Sequence, residues 1–460
     1  MRPIAATLSI LALVLAASFA LPDRAAAAFI EVTTTADVVA DDDECSLREA
    51  VIAANTNTAV DTCLAGDSGF DNITIPAGHY VLDIAGPGED LALTGDLDLL
   101  EPIGIDGPFD DPFGVVIDAA GLDRAFDLHP SVSRAFFRNV TITAGAVAGE
   151  DGGGIRLADA GELGDDGSCS GVLDVDFHRV TVRDSVADRG GGIYIGECAG
   201  LIAEFSSVVD NAAAAHGGGV AATGELSTAV FATSTVSGNV AGAMGGGLWG
   251  EGPVIGGLFF TTAAHNRAGL GGGVALQASD FQSFTINGSI LAFNEGGDCW
   301  LETGEEAELM WSMDTDGLCG DGPGFISEAD PLLLPRDTEP LAYRLGAGSP
   351  AIDAAEEGPS CGSGEQPLDQ FFNSRPVDGD GDGVATCDMG SFEAVEVPFV
   401  PPPTAEPSAE PLPDTAYGSS NETMPATGGL LAFVPVVAVA AAATLLALFR
   451  KRRRPGADRL

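Results

Sequence analysis

The sequence predicts an all-β protein that folds as a parallel β-helix, a solenoid in which each coil of chain stacks on the coil before it. Two regularities support this fold class. Glycine triplets begin at residues 152, 190, 217, 245 and 271, at intervals of 38, 27, 28 and 26 residues. A second register carries Asp or Asn every 27 or 28 residues, at Asp184, Asn211, Asn239, Asn266 and Asn294. A unit this short cannot bury its own apolar face, so it must stack on its neighbours.

Each repeat unit contains a β-branched run, the Asp or Asn, a stretch of small residues, the glycines and a second apolar run. This order predicts two or three strands of about 4–6 residues per unit, joined by tight turns in which glycine permits positive φ angles. The column of Asp184 and the asparagines predicts hydrogen bonds from coil to coil that satisfy buried backbone groups. The longest interval contains GELGDDGSCSG (161–171) and predicts an inserted loop. The N-x-A…GGG units resemble the repeats of polymorphic outer-membrane proteins and right-handed β-helix proteins, which implies a right-handed coil.

The first 28 residues are typical of a secretory signal peptide. They carry Arg2, an apolar core and an alanine-rich end with the expected cleavage point near Ala28. We therefore expect the body of the protein to be extracellular and displayed at the cell surface.

Residues 44–57, ECSLREAVIAANTN, interrupt the strand-like sequence and predict a short helix. Ser46 and Glu49 form a capping box at its start, and Asn55 and Asn57 are candidate stop residues. Its apolar face carries Leu47, Val51 and Ala54. Because a β-helix exposes its core and unpaired strands at both ends, this helix is expected to cover the N-terminal end.

CSLREAVIAANTN resembles the signature of the CSLREA domain, which implies an N-terminal cap over residues 29–80 on coils at 81–328. Three later stretches resemble the C-terminal part of choice-of-anchor Q domains, which implies a terminal coil and cap over residues 329–395. They are ADPLLLP (329–335), LGAGSPAIDA (345–354) and RPVDGDGDGVATCDMGSFE (375–393).

The C-terminal residues have the order of a surface anchor. A proline-rich acidic stalk (396–423) precedes MPATGG (424–429), an uncharged apolar run (430–449) predicts one transmembrane helix, and a basic tail (450–460) should stay cytoplasmic. This order resembles the LPxTG signal, which implies a sortase-type transpeptidase and the cell wall as partners. The resemblance assigns the sorting residues as Pro425, Thr427 and Gly428, with cleavage after Thr427; Met424 replaces the usual leucine. The alternative is an ordinary membrane anchor.

Eight cysteines in an exported chain favour disulfides. The sequence does not fix their connectivity, but the cysteines fall into four local couples, which favours pairing between neighbours. The expected pairs are Cys45–Cys63, Cys169–Cys198, Cys299–Cys319 and Cys361–Cys387. No C-x-x-C motif supports zinc or thioredoxin-type chemistry.

The charge balance excludes one class of partner. Without residues 1–28 and 428–460 the chain has 12 basic and 66 acidic residues, a formal charge of −54. The only lysine of the whole sequence, Lys451, lies in the removed C-terminal tail. Such a surface repels nucleic acid, so no nucleic-acid partner is expected. It suits high ionic strength or divalent cations, which screen the self-repulsion.

DGDGDG (378–383) matches the start of a calcium loop. The predicted ligands are Asp378, Asp380, Asp382 and Asp388, so the expected cofactor is Ca²⁺. Asp388 and Glu393 are the nearest substitutes for the missing glutamate at the loop's last position. The alternative is an acidic surface turn.

We favour a non-catalytic surface protein that serves display, adhesion or carbohydrate binding, with an extracellular polysaccharide or a host or neighbour surface as partner. The alternative is a β-helix polysaccharide lyase or glycoside hydrolase. Its best local cluster lies in VLDVDFHRVTVRD (172–184) and comprises Asp174, Asp176, Arg179, Arg183 and Asp184. No second coil repeats those charges, and His216 and His265 fall at different coil positions, so no catalytic residue is assigned.

Overall fold

The fold is known from a computed structural model that describes residues 28–164, 168–277, 283–302, 307–355, 361 and 367–394. Within these residues, parallel strands stack in three long rows, which we call faces A, B and C in the order in which the chain visits them. The predicted parallel β-helix is thereby confirmed.

Face A contains Phe29–Glu31, Asp71–Thr74, Ile103–Asp106, Ala199–Glu204, Thr228–Ala232, Ile255–Phe259, Ser283–Asn287 and Glu308–Met310. Face B contains Gly78–Val81, Val115–Asp118, Ser207–Val209, Thr235–Ser237, Thr262–Ala264, Ile290–Ala292 and Met313–Asp314. Face C contains Leu97–Leu99, Phe126–Leu128, Ile155–Leu157, Ile193–Ile195, Val220–Thr223, Leu248–Glu251, Val274–Gln277 and Cys299–Leu301. Two long strands, Arg134–Thr143 and Leu173–Arg183, turn the corner from face A to face B.

The middle coils contain one more strand than the two or three predicted. A short row lies between faces B and C and comprises Val186–Arg189, Ala212–His216 and Val240–Ala241. This row forms where the small-residue stretch before each glycine triplet is extended enough to pair with the next coil. In the triplets themselves, Gly217 has φ +64°, and a Cβ on Gly218 would lie 2.5 Å from the Gly246 carbonyl oxygen.

The core is continuous along the coils because alternate side chains of every face point inward. In Ala199–Glu204, Leu201 and Ala203 are fully buried whereas the intervening Ile202 is 45% exposed. Aromatic rings fill the early coils, where the Phe126, Phe137 and Phe177 rings meet edge to face with centroids 5.1 and 5.4 Å apart. Such edge-to-face contacts are favourable pairings in protein cores.

The predicted asparagine column forms a buried ladder between face B and the short row. The side-chain Nδ2 atoms of Asn211, Asn239 and Asn266 each donate to Oδ1 of the ladder residue in the next coil at 3.0 Å. The same Oδ1 atoms accept the preceding coil's backbone N–H at 2.9–3.0 Å. The ladder ends where Asn294 donates to Asp298 Oδ1 at 2.7 Å.

The assignment of Asp184 to this ladder is wrong by one residue. Ser185 is the member, because its N–H donates to Asn211 Oδ1 at 3.1 Å. Asp184 instead precedes the corner with φ +53°, as Asp210 and Gly238 do in the next coils, and points to solvent. Both positions sit at the same turn, so sequence spacing alone did not separate them.

The predicted helix, α1, runs over Leu47–Thr56. Ser46 and Glu49 form the capping box, and Asn57 ends the helix in the left-handed conformation; Asn55 lies inside the helix, where its Nδ2 donates to the Asp98 carbonyl at 2.7 Å. The helix packs against the first strands of faces A and C, so it lies at the N-terminal end of the solenoid as expected.

The structure contains the four disulfides Cys45–Cys63, Cys169–Cys198, Cys299–Cys319 and Cys361–Cys387. Cys45–Cys63 holds the segment after α1 to its start. Cys169–Cys198 ties the inserted loop, which returns on itself at the Leu163–Cys169 bridge, to the next coil. Disulfides are compatible with an extracellular protein.

Residues 329–394, which we call the C-terminal segment, lie elsewhere than the predicted terminal coil. In its described residues this segment adds no strand to the three faces, and it packs along the outside of face B. Gln370 Nε2 donates to the Ser206 carbonyl at 3.0 Å, and Thr235 Oγ1 donates to Gln370 Oε1 at 2.7 Å. An apolar cluster that includes Phe260, Ile290 and Phe392 completes the contact.

The predicted signal peptide, stalk, sorting residues (Pro425, Thr427 and Gly428), transmembrane helix (430–449) and basic tail lie outside the described residues. No helix within the described ranges has the length and apolar character needed to cross a membrane.

Candidate functional site

Face A offers an open groove across its middle coils. The C-terminal segment covers much of face B, whereas outward side chains of face A such as Ile202 and Ile255 remain 45% and 39% exposed. The groove has a volume of ≈ 380 Å³, and its lining includes Arg134, Asp174, Asp176, Gly200, Ile202 and Thr228.

Strand register brings these residues together from four consecutive coils. Asp174 lies between Arg134 and Gly200, and Gly200 lies beside Thr228. A Cβ at Gly200 would approach Thr228 Cβ to 3.3 Å, so glycine keeps the floor of the groove open. One wall is fixed by an exposed ion pair in which Arg134 Nη2 donates to Asp176 Oδ2 at 3.0 Å.

A second polar patch continues face A at the edge nearest face B. Arg138 pairs with Asp106 at 3.5 Å, and Asn72 Nδ2 donates to Asp106 Oδ2 at 3.1 Å. His178 follows Arg138 in the same column and is paired in register with Glu204. Burial, with the neighbouring Arg179 cation, lowers the pKa of His178, so its imidazole is neutral at pH 7. The patch therefore presents both hydrogen-bond donors and hydrogen-bond acceptors.

The structure divides the charged cluster predicted at 172–184. Asp174 and Asp176 line the groove on face A. Arg179 lies at the corner, where its guanidinium stacks 3.7 Å from the Phe372 ring of the C-terminal segment. Arg183 Nη1 donates to Asp184 Oδ2 at 2.9 Å beyond that corner. The five residues therefore do not form one site.

The two histidines also have separate surroundings, as predicted. His216 stacks on Trp249 beside face C, with ring centroids 4.3 Å apart. His265 lies near face B between Phe293 and Tyr343.

Two of the predicted calcium ligands meet a carboxylate that the motif did not include. Oxygens of Asp353, Asp378 and Asp380 lie within 4.8 Å of one another. They also accept backbone N–H groups: Asp353 Oδ2 accepts from Gly379 and Asp380, both at 2.9 Å. The three carboxylates offer oxygen ligands of the kind that Ca²⁺ takes.

The other two predicted ligands face elsewhere. Asp382 Oδ1 accepts the Val384 N–H at 2.8 Å. Asp388 is fully buried; its Oδ1 accepts the Asp353 N–H at 2.7 Å, and its Oδ2 accepts the Ala394 N–H at 2.5 Å. Burial raises the pKa of Asp388 to about 6, so it acts within the interior of the C-terminal segment.

Sequence reasoning missed a buried acidic group on the outer side of face C. Asp96, Asp98 and Asp127 lie together, and Arg124 Nη1 donates to Asp96 at 3.2 Å and to Asp127 at 3.0 Å. Burial and the neighbouring carboxylates raise the pKa of Asp96 to about 8 and that of Asp98 to about 7. The signal was present as alternating Asp residues in DLDL (96–99), where the structure forms the strand Leu97–Leu99. Arg124 already holds the place that a cation would take.

Comparison with known proteins adds little to this picture. No protein-family model matches the chain. No curated protein matches it either. Among solved structures, one that is similar is the crystal structure of pectate lyase Pel9A, with a TM-score of 0.42 and 11% sequence identity over 80% of this chain and 96% of that chain.

Proposed function

We propose that this protein is a non-catalytic surface protein that binds an extracellular polysaccharide along face A. The observation that supports it is the open groove in which Arg134, Asp174 and Thr228 meet across successive coils. Coils of a parallel sheet repeat every ~4.8 Å, so face A presents side chains at regular spacing to an extended polymer.

The chemistry of the groove suits sugar rings. Carboxylates accept from hydroxyl groups, the Arg134 guanidinium donates to them, and the exposed Ile202 side chain offers an apolar contact to a ring's C–H groups. Because two aspartates face one arginine, a neutral glycan fits better than an anionic one. An anionic glycan would need a bridging cation.

A polysaccharide screen with the purified protein tests this proposal. We expect retention on one or more neutral glycans, weakened about tenfold in Asp174→Asn/Asp176→Asn, since the substitution removes the charge from two hydrogen-bond acceptors. Asp321→Asn/Glu295→Gln is the matched control, because both residues are exposed and lie in coils after those that line the groove. Equal binding by both double variants would contradict the assignment to face A.

The same screen separates binding from the alternative, a polysaccharide lyase or glycoside hydrolase. We expect glycan chain length to stay constant during incubation. Release of unsaturated or reducing ends, abolished in Asp174→Asn/Asp176→Asn but not in the control, would establish an enzyme instead.

The proposal includes export and anchoring, for which the support is the order of sequence features at the two ends. Cleavage after Thr427 would join the protein to the cell wall through a sortase-type transpeptidase. Thr427→Ala is then expected to leave the protein in the membrane fraction, extractable by detergent. If the native protein is already fully extractable with its C-terminal peptide intact, residues 430–449 are simply a membrane anchor.

Weak calcium binding is part of the same proposal, and it rests on the grouping of Asp353 with Asp378 and Asp380. Extracellular modules bind Ca²⁺ with a Kd on the order of 10⁻⁴–10⁻³ M. Millimolar Ca²⁺ should therefore raise the Tm more than Mg²⁺ does, and Asp353→Asn should remove the difference. If the two ions change the Tm equally, this group of carboxylates is an acidic surface turn and not a calcium site.

A further inference from the structure

The N-terminal edge of face A is an unpaired strand beside a groove. Phe29–Glu31 pairs with Asp71–Thr74 on one side, and no strand in the described residues pairs with its other side. Asn72 N donates to the Ala28 carbonyl at 2.8 Å, and Val32 N donates to the Thr74 carbonyl at 3.0 Å. The backbone groups of Ala28 and Val32 therefore point toward the paired strand. Since these groups alternate along a strand, the N–H and C=O of Phe29 and Glu31 point to the open side.

This edge remains accessible although α1 covers the adjoining core. A groove of ≈ 720 Å³ runs along the strand, and its lining includes Phe29, Glu31, Asp43, Glu44 and Leu64. Phe29 and Leu64 are 66% and 64% exposed, so both apolar side chains are open to contact from outside. The groove therefore offers backbone hydrogen bonds and apolar contacts together.

The charge around the groove selects the partner. Glu31, Asp43 and Glu44 are exposed, and Asp41 and Asp42 extend the same acidic run. Arg48 is the only Lys or Arg between residues 28 and 80. It is fully buried and paired with Asp37 at 2.6 Å, so it does not offset the surface charge.

We propose that this edge binds an extended peptide with alternating basic and apolar residues, which adds one strand to face A. Backbone pairing would supply affinity, the basic side chains would meet Asp43 and Glu44, and the apolar ones would contact Phe29 and Leu64. The partner is another protein's exposed basic strand or tail. A second copy of this chain carries the same negative charge at its own edge and is repelled.

A labelled Lys-Val-Lys-Val-Lys-Val peptide tests the proposal with the full chain by fluorescence anisotropy. We expect saturable binding that weakens several-fold in Asp43→Asn/Glu44→Gln and stays unchanged in Asp321→Asn/Glu295→Gln, a control with the same change in charge. Two further peptides carry N-methyl groups, one on the lysine amides and the other on the valine amides. A strand presents alternate amides to its neighbour, so one of these two methylated peptides should bind roughly tenfold more weakly and the other should bind as the unmodified peptide does.

Equal binding by the two methylated peptides would overturn strand addition and would mean that the peptide is held only by attraction between opposite charges. Hydrogen exchange supplies the second measurement, in which the amide of Glu31 should become protected only when peptide is added. Protection before addition that grows with protein concentration would show a second copy on the edge. Protection that is independent of concentration would show that the chain's own N-terminal residues occupy it. Either result would overturn the proposal.

Discussion

At the scale of single residues, Asn239 holds three coils together. It is fully buried, its Nδ2 donates to Asn266 Oδ1 and to the Val208 carbonyl at 3.0 and 2.8 Å, and its Oδ1 accepts from the N–H and Nδ2 of Asn211. Asn239→Ala leaves several of these buried groups unpaired. Since each such group costs about 1–3 kcal/mol, we expect a loss of about 3 kcal/mol or more in the free energy of unfolding.

Asp184→Ala is the control for that experiment. Asp184 is exposed and, among the residues that the structure describes, its ion pair is with Arg183 at 2.9 Å, so its removal should cost less than about 1 kcal/mol. Denaturant midpoints of the two variants compare the positions directly. Similar losses would mean that Asp184 belongs to the ladder after all.

The residue types of the two hydrogen-bonded ladders explain why the sequence predicted one of them and missed the other. Asparagine repeated every 27 or 28 residues is conspicuous in a strand-rich chain, so its column could be recognised. A second ladder at the corner of faces A and B uses hydroxyl groups, as where Ser206 N donates to Ser234 Oγ at 3.0 Å and Ser289 N donates to Ser312 Oγ at 2.9 Å. Serine and threonine occur throughout this sequence, so their spacing carried no distinct signal.

At the scale of elements, α1 is held to the solenoid by a buried cation. Arg48 donates to both carboxylate oxygens of Asp37 and to the carbonyls of Ala92, Gly95 and Asp96, at distances between 2.6 and 3.2 Å. Arg48→Met keeps the apolar part of the side chain but leaves Asp37 with an uncompensated buried charge. We expect a loss of about 3–5 kcal/mol and faster hydrogen exchange in α1.

Arg134→Met provides the matched comparison, because the Arg134 side chain is 62% exposed and pairs with Asp176 on the surface. An exposed pair contributes about 1 kcal/mol or less. If the two variants unfold at the same denaturant concentration, α1 does not depend on the buried pair.

The contrast between α1 and the C-terminal segment shows what local sequence can specify. The capping box and the apolar face of α1 lie within ten residues of each other, so local rules predicted both its type and its place. The C-terminal segment is positioned by contacts between distant residues, such as Gln370 with Thr235 and Ser391 with Thr262. Nothing within its own sequence indicates face B, and the open groove on face A was equally hidden because its residues come from four coils.

At the scale of the whole molecule, charge links the buried acids to stability. The chain has a formal charge of −48, and burial raises the pKa of Asp96 to about 8, of Asp98 to about 7 and of Glu393 to about 8. In the unfolded chain these groups ionise near their ordinary values of about 4. These groups therefore bind more protons in the folded state than in the unfolded chain between about pH 4 and pH 8, and their contribution to the free energy of unfolding falls as pH rises through that window.

Three histidines whose pKa is lowered by burial, His178, His216 and His265, act in the opposite direction. Their contribution is nearly complete one pH unit above their unfolded value of about 6.5, so a comparison of pH 7.5 with pH 8.5 isolates the acids. We expect a lower Tm at pH 8.5. Asp96→Asn should reduce the difference, because asparagine can still accept from Arg124 but does not ionise, whereas Asp321→Asn should not. Added salt screens repulsion between exposed charges but reaches buried ones poorly, so part of the pH dependence should persist at high ionic strength. A Tm that rises with pH, or an equal slope in Asp96→Asn, would show that Arg124 keeps the buried carboxylates ionised in the folded protein.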